Sequence, residues 1–171
     1  MYIEEIEKMA KDYANNRNDY NTTIRGTLHV LLDDNGVFSS AEFTALTGLD
    51  KSTFKKISST KNVRFKLWVL VTICFALKLG LEKSMKIIRL GGYSLEENCL
   101  SNEVYRFILE EYSHWTLSEV NIFIDSINEE IGIEDDHIHL LSSDSYDGRG
   151  SYLRKNGFSE KPAESQKCVT I

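Results

Sequence analysis

The sequence predicts an all-α protein, and three observations carry that prediction. Apolar residues recur at three- and four-residue intervals along most of the chain, the period that gathers them on one face of a helix. Helix-starting side chains precede several of these stripes: Ser39 with Glu42, Thr116 with Glu119, and Asp50. There is a single proline in 171 residues, and Gly36, Gly48 and the Gly91-Gly92 pair stand where stripes stop.

In chain order, Tyr2, Ile3, Ile6, Met9, Ala10 and Tyr13 form a stripe over residues 2–14, an added N-terminal helix. Asn15 to Asp19 interrupt it with turn-forming side chains. From Asn21 a second stripe (Ile24, Leu28, Leu31, Leu32) runs to Asp34-Asn35-Gly36. The Ser39/Glu42 capping box opens a short helix over 40–47. Gly48 supplies the left-handed residue that ends it, and Asp50 caps a helix from Lys51 to Ser58. Residues 64–79 are apolar nearly all round. Their β-branched members alone suggest a strand, but the length predicts a buried helix. The run Leu67 to Leu77 is too short for a membrane span, which needs about 20 residues. A fifth element, from Leu81 or Glu82 to Leu90, ends at the glycine pair. Val104, Phe107, Ile108 and Tyr112, then Leu117, Val120, Ile124, Ile127 and Ile131, predict an acidic helical hairpin. From Leu141 the pattern dissolves into a mobile tail. The expected units are an N-terminal extension (1–20), a helix-turn-helix domain (21–95), the hairpin (96–140) and the tail (141–171).

Charge is divided unevenly. The formal total is −6, which as an average opposes nucleic acid, but a binding surface is local. Between Lys51 and Arg89 ten basic residues face one acid, Glu82, a net +9 that leaves −15 on the remainder. That is a basic face on an acidic body. The acidic start, Met1-Tyr2-Ile3-Glu4-Glu5, lacks the basic and apolar regions of a signal peptide, so the cytoplasm is the expected compartment. Cys74, Cys99 and Cys168 have no close spacing and are expected to be reduced.

The stretch Phe43-Thr-Ala-Leu-Thr-Gly-Leu-Asp-Lys-Ser-Thr-Phe-Lys-Lys-Ile57 places a small residue four before a turn glycine, an apolar residue after it, and apolar residues at 54 and 57. Two helices can cross closely on that spacing. It resembles the Cro/C1-type, XRE-like helix-turn-helix family of phage repressors, and the resemblance covers residues 21–90. Ile88-Arg-Leu-Gly-Gly-Tyr-Ser-Leu95 is similar to the close of this domain in some bacterial regulators. Three positions depart from the family pattern: Thr44 stands for the usual alanine, Ser58-Ser59-Thr60 for Glu-x-Gly, and Val63 where proline is common.

The resemblance implies a lambda-repressor-like five-helix DNA-binding domain, here with the N-terminal helix and C-terminal hairpin added. It implies a sequence-specific transcriptional regulator whose second short helix enters the major groove of double-stranded DNA. Lys51, Ser52, Thr53 and Lys56 are the matching base-edge candidates: lysine suits guanine O6 and N7, the hydroxyls suit several bases, and the Thr53 methyl suits thymine. Ser40, Lys55, Lys61, Asn62, Arg64 and Lys66 are the phosphate candidates, where charge matters more than shape. One recognition helix covers few base pairs, so a homodimer is expected. Its surface would be the hairpin, rich in Tyr105, Phe107, Ile108, Phe123 and Ile124. The alternative is a protein-binding module, antitoxin-like or regulator-binding, whose acidic helices engage a basic partner. A second rival is a ligand-responsive regulator, with no effector motif in sight.

No catalytic, metal or cofactor site emerges. His137-Ile-His139 beside Asp135-Asp136 alternates on a loop without a third histidine and reads as surface polarity. His29 and His114 read as packing or capping residues, no nucleophile has a base at telling spacing, and Gly91-Gly92 is a helix stop, not a phosphate loop. An enzyme is not expected.

Overall fold

The computed structural model describes residue 7 and residues 23–59, 63–96, 98–132 and 137–141. The expected N-terminal helix and all of the tail after Leu141 lie outside them, residue 7 apart. Seven helices and no strand occur among the described residues: α1 Ile24–Asp34, α2 Ser40–Thr47, α3 Lys51–Ser58, α4 Leu67–Ala76, α5 Gly80–Leu90, α6 Leu100–Glu111 and α7 Leu117–Ile131. The all-α reading holds.

Local chemistry sets most boundaries. Thr23 caps α1 by accepting from the Gly26 amide at 3.2 Å, and Asn35 with Gly36 (φ 74°) closes it. Both halves of the Ser39/Glu42 box are made at the start of α2, and both halves of the Thr116/Glu119 box at the start of α7. Each capping carboxyl is held below the usual carboxylate range, first by the backbone amide that it accepts from: Phe38 for Glu42 and Thr116 for Glu119. Left-handed glycines end the same two helices, Gly48 (φ 68°) and Gly132 (φ 66°).

The fourth helix is shorter than its apolar run. Residues 63–66 are not helical, because Phe65 is buried and its carbonyl accepts from the Tyr93 hydroxyl at 2.8 Å, a partner that helical geometry would deny it. At the other end Lys78 (φ 53°) and Gly80 (φ 75°) turn the chain into α5, which begins one residue before the expected Leu81. Inside α4 every side chain from Val69 to Phe75 is buried. The β-branched residues therefore serve packing, and burial of side chains this size, worth about 1.5–3 kcal/mol each, outweighs their modest helix propensity.

One apolar cluster runs through all seven helices. It joins Leu28 and Leu32 of α1, Phe43 of α2, Ile57 of α3, Leu70 and Ile73 of α4 and Ile88 of α5 to Tyr105 and Ile108 of α6 and Val120 and Ile124 of α7. The predicted hairpin is thus built onto the core, with α6 packed against α4 and α5. The segment 137–141 closes over it, with Ile138 and Leu141 buried.

Within that segment His137 is exposed, as a surface reading of the pair expects, but His139 is half-buried and corrects that reading. The His139 ring stacks on Trp68 of α4 at 4.1 Å with planes 4° apart. Burial holds its imidazole below the ordinary histidine value, the Lys66 charge adds to this, and the Leu140 carbonyl, 2.7 Å from Nδ1, opposes it. Cys74 is the free thiol expected of it, and burial pushes it up to about 12. Cys99 differs from expectation, being disulfide-bonded.

Candidate nucleic-acid interface

The candidate interface is built around the turn between α2 and α3. Gly48 takes the left-handed conformation and its amide donates to the Thr44 carbonyl at 2.8 Å. The buried Thr47 hydroxyl donates to the Phe43 carbonyl (2.8 Å) and accepts from the Leu49 amide (3.1 Å), tying the helix end to the turn. Asp50 then caps α3 by accepting from the Ser52 amide at 2.7 Å. The rings of Phe43 and Phe54, with centroids 5.5 Å apart, and the buried Ile57 pin the inner face of α3 to α2 and the core.

With that face fixed, 100° per residue decides what faces out. Lys51, Ser52, Lys55 and Lys56 are exposed together on one arc, and Thr53 sits half-buried at its edge. Among the described residues, Lys51, Lys55 and Lys56 enter no ion pair. Three other basic residues of the +9 stretch are engaged elsewhere. Lys86 pairs with Glu82 at 2.9 Å, Arg89 pairs with Glu96, and the Lys78 ammonium donates to the Ser113 carbonyl. The local basic surface is therefore narrower than the sequence stretch.

Of the phosphate candidates, Ser40 is the half-buried first residue of α2. The Glu42 carboxylate of the same turn accepts from the Phe38 and Ser39 amides at 2.9 Å. Arg64 and Lys66 are exposed between α3 and α4, and Lys66 precedes a helix whose start has no side-chain cap. Lys61 and Asn62 lie outside the described residues.

Sequence reasoning missed two features here. The Tyr93 ring lies under the Arg64 guanidinium, 5.5 Å from its centroid, a pairing with no local signal across 29 positions. Thr44, noted only as a departure from the family pattern, has its hydroxyl oxygen buried with no hydrogen-bond partner.

Residues 27–83 match the family model described as the Cro/C1-type HTH DNA-binding domain. No curated protein and no solved structure matches significantly. No helix among the described residues is long and apolar enough to cross a membrane.

Proposed function

We propose that this Cro/C1-type helix-turn-helix domain serves a sequence-specific transcriptional regulator of bacterial or phage origin, acting in the cytoplasm. The observation that carries the reading is the α3 surface: Lys51, Ser52, Lys55 and Lys56 exposed on one arc, the three lysines free of ion pairs among the described residues, on a helix fixed by Gly48, Phe43 and Phe54. In the major groove the start of α3 meets base edges through Lys51, Ser52, Thr53 and Lys56. Ser40, Lys55, Arg64 and Lys66, with Lys61 and Asn62, meet phosphates. The lysines give affinity by releasing counterions, and the hydroxyls and short apolar groups give choice among bases.

The regulator acts as a homodimer on a pseudo-palindrome, with half-sites about 34 Å apart. Of the hairpin residues expected at the contact, Tyr105, Ile108 and Ile124 are buried in the core and are not available to a partner; support for a contact through the C-terminal helices comes instead from Phe107 and Ile122, exposed by 43% and 50%. Phe107 belongs to an aromatic group with Tyr112, Trp115 and Phe123. Sedimentation of the wild type against Phe107→Ser tests this, and an unchanged monomer in both removes the dimer from the reading.

Selection from random duplex DNA, followed by salt titration of the wild type and Lys55→Ala/Lys56→Ala, tests the DNA reading. An enriched sequence is expected, with each phosphate contact adding about 0.9 to the salt slope and the double variant losing about one such increment through Lys55 and some choice among bases through Lys56. No enrichment, with low-salt binding absent or indifferent to the substitutions, would return the domain to the protein-binding alternative.

A further inference from the structure

We propose that Tyr93 is a positioning residue that aims the Arg64 guanidinium at a DNA phosphate without neutralising it. The inference rests on the DNA-binding reading above and goes beyond it by assigning a role to a residue outside the helix-turn-helix.

The turn after α5 is shaped to bring Tyr93 back over the stretch between α3 and α4. Gly91 lies so close to the core that an added Cβ would come within 2.3 Å of the Leu70 Cδ1, and Gly92 takes φ 85°. With the chain so turned, Tyr93 reaches two consecutive residues. Its hydroxyl donates to the Phe65 carbonyl at 2.8 Å, and its ring carries the Arg64 guanidinium. The first contact fixes the backbone next to Arg64, and the second fixes the direction of the side chain.

The identity of the partner matters. A carboxylate at this position would hold Arg64 equally well but would cancel the charge that a phosphate must see. An aromatic face orients a cation by its quadrupole and leaves the net charge intact. The nearby acid Glu96 is already paired with Arg89, and Arg64 forms no ion pair among the described residues while remaining exposed. An arginine ordered before binding also loses less side-chain freedom on the DNA.

The test is a double-mutant cycle on the full chain, read as affinity for the selected duplex, or for random duplex at low salt, across a salt series. Arg64→Ala is expected to reduce the salt slope by about 1. Tyr93→Leu is expected to weaken binding about threefold when Arg64 is present and to have no effect on affinity in the Arg64→Ala background. Tyr93→Phe keeps the ring but gives up the bond to Phe65, so it is expected to lose less affinity than Tyr93→Leu and to keep part of the coupling. Equal losses from Tyr93→Leu in both backgrounds, or Tyr93→Phe as weak as Tyr93→Leu, would overturn the role.

A measurement without DNA guards against a variant that fails to fold. In the free wild type and in Tyr93→Phe, the Arg64 δ-methylene protons should be shifted upfield by the ring current. Their absence from that field overturns the positioning whatever the DNA result. A wild type with no salt-dependent binding instead sinks the DNA reading, and the role of Tyr93 with it, while the ring-current shift would still be seen.

Discussion

Asn128 and Ile138 are joined by two hydrogen bonds: the Asn128 amide nitrogen donates to the Ile138 carbonyl at 2.9 Å, and its oxygen accepts from the Ile138 amide at 2.7 Å. Asn121 repeats the arrangement with Leu141, whose amide donates to its side-chain oxygen at 2.8 Å and whose carbonyl accepts from its side-chain nitrogen. Seven residues of helix rise about 10 Å, and three residues of extended chain span about the same. Two asparagines two turns apart thus act as a substitute strand for the segment 137–141. The Tyr105 hydroxyl adds a bond to the His139 carbonyl at 2.9 Å.

Asn128→Ala should therefore destabilise the fold by about 2–4 kcal/mol, because both polar groups of Ile138 lose their partner in a buried setting and each costs about 1–3 kcal/mol unpaired. Urea unfolding should show a lower midpoint with an unchanged slope. A change below about 0.5 kcal/mol would mean that water replaces the amide and that the clamp contributes little.

The stack of His139 on Trp68 gives stability a pH dependence of definite sign. The folded histidine has a value lowered from 6.5 by burial first and by Lys66 after it, while the Leu140 carbonyl raises it. The folded state therefore favours the neutral ring. Its contribution is complete above the unfolded value near 6.5 and is lost as pH falls below it, ceasing to change once the folded value is passed. Within that window the loss is at most about 1.4 kcal/mol per pH unit. His139→Phe keeps an aromatic partner for Trp68 and should flatten the profile between pH 7 and 5. A wild type no more pH-dependent than this variant would place His139 in water.

Thr44 offers a substitution expected to stabilise. Its hydroxyl oxygen is buried and has no partner, and desolvating such a group costs about 1–3 kcal/mol. Thr44→Val keeps the branched shape and removes the hydroxyl, so it should raise stability by about 1 kcal/mol, read as a higher thermal midpoint. A loss of stability would show that the hydroxyl does find a partner in solution.

These contrasts explain what could be read from the sequence. Ser39 with Glu42, Asp50, Gly48 and Thr116 with Glu119 act within three residues of themselves, and their helix ends fall where the sequence places them. The exposed arc of α3 is equally local, since it follows from Phe54 and Ile57 facing inward. What escaped depends on partners far along the chain. Tyr93 on Phe65 stops residues 63–66 from joining α4, Asn121 and Asn128 hold a segment that periodicity cannot see, and His139 reaches Trp68. Even the +9 stretch misleads in part, because Lys78, Lys86 and Arg89 are turned to partners that the linear count does not contain.

Asp50 separates the structural and DNA-facing roles of the start of α3. Its carboxylate caps the helix through the Ser52 amide, yet it places a negative charge beside Lys51, where the proposed complex brings phosphates near. Asparagine caps a helix about as well as aspartate, so Asp50→Asn should leave stability within about 0.5 kcal/mol. Removing the repulsion should tighten binding to duplex DNA by roughly two- to tenfold at low salt, and the gain should fade as salt screens the charge. Asp50→Ala should instead cost about 1 kcal/mol of stability by losing the cap. Calorimetry and fluorescence anisotropy on the two variants distinguish the effects. Unchanged affinity in Asp50→Asn at every salt concentration would mean that the start of α3 does not face the DNA, and the base-edge assignments of Lys51, Ser52 and Thr53 would fall with it.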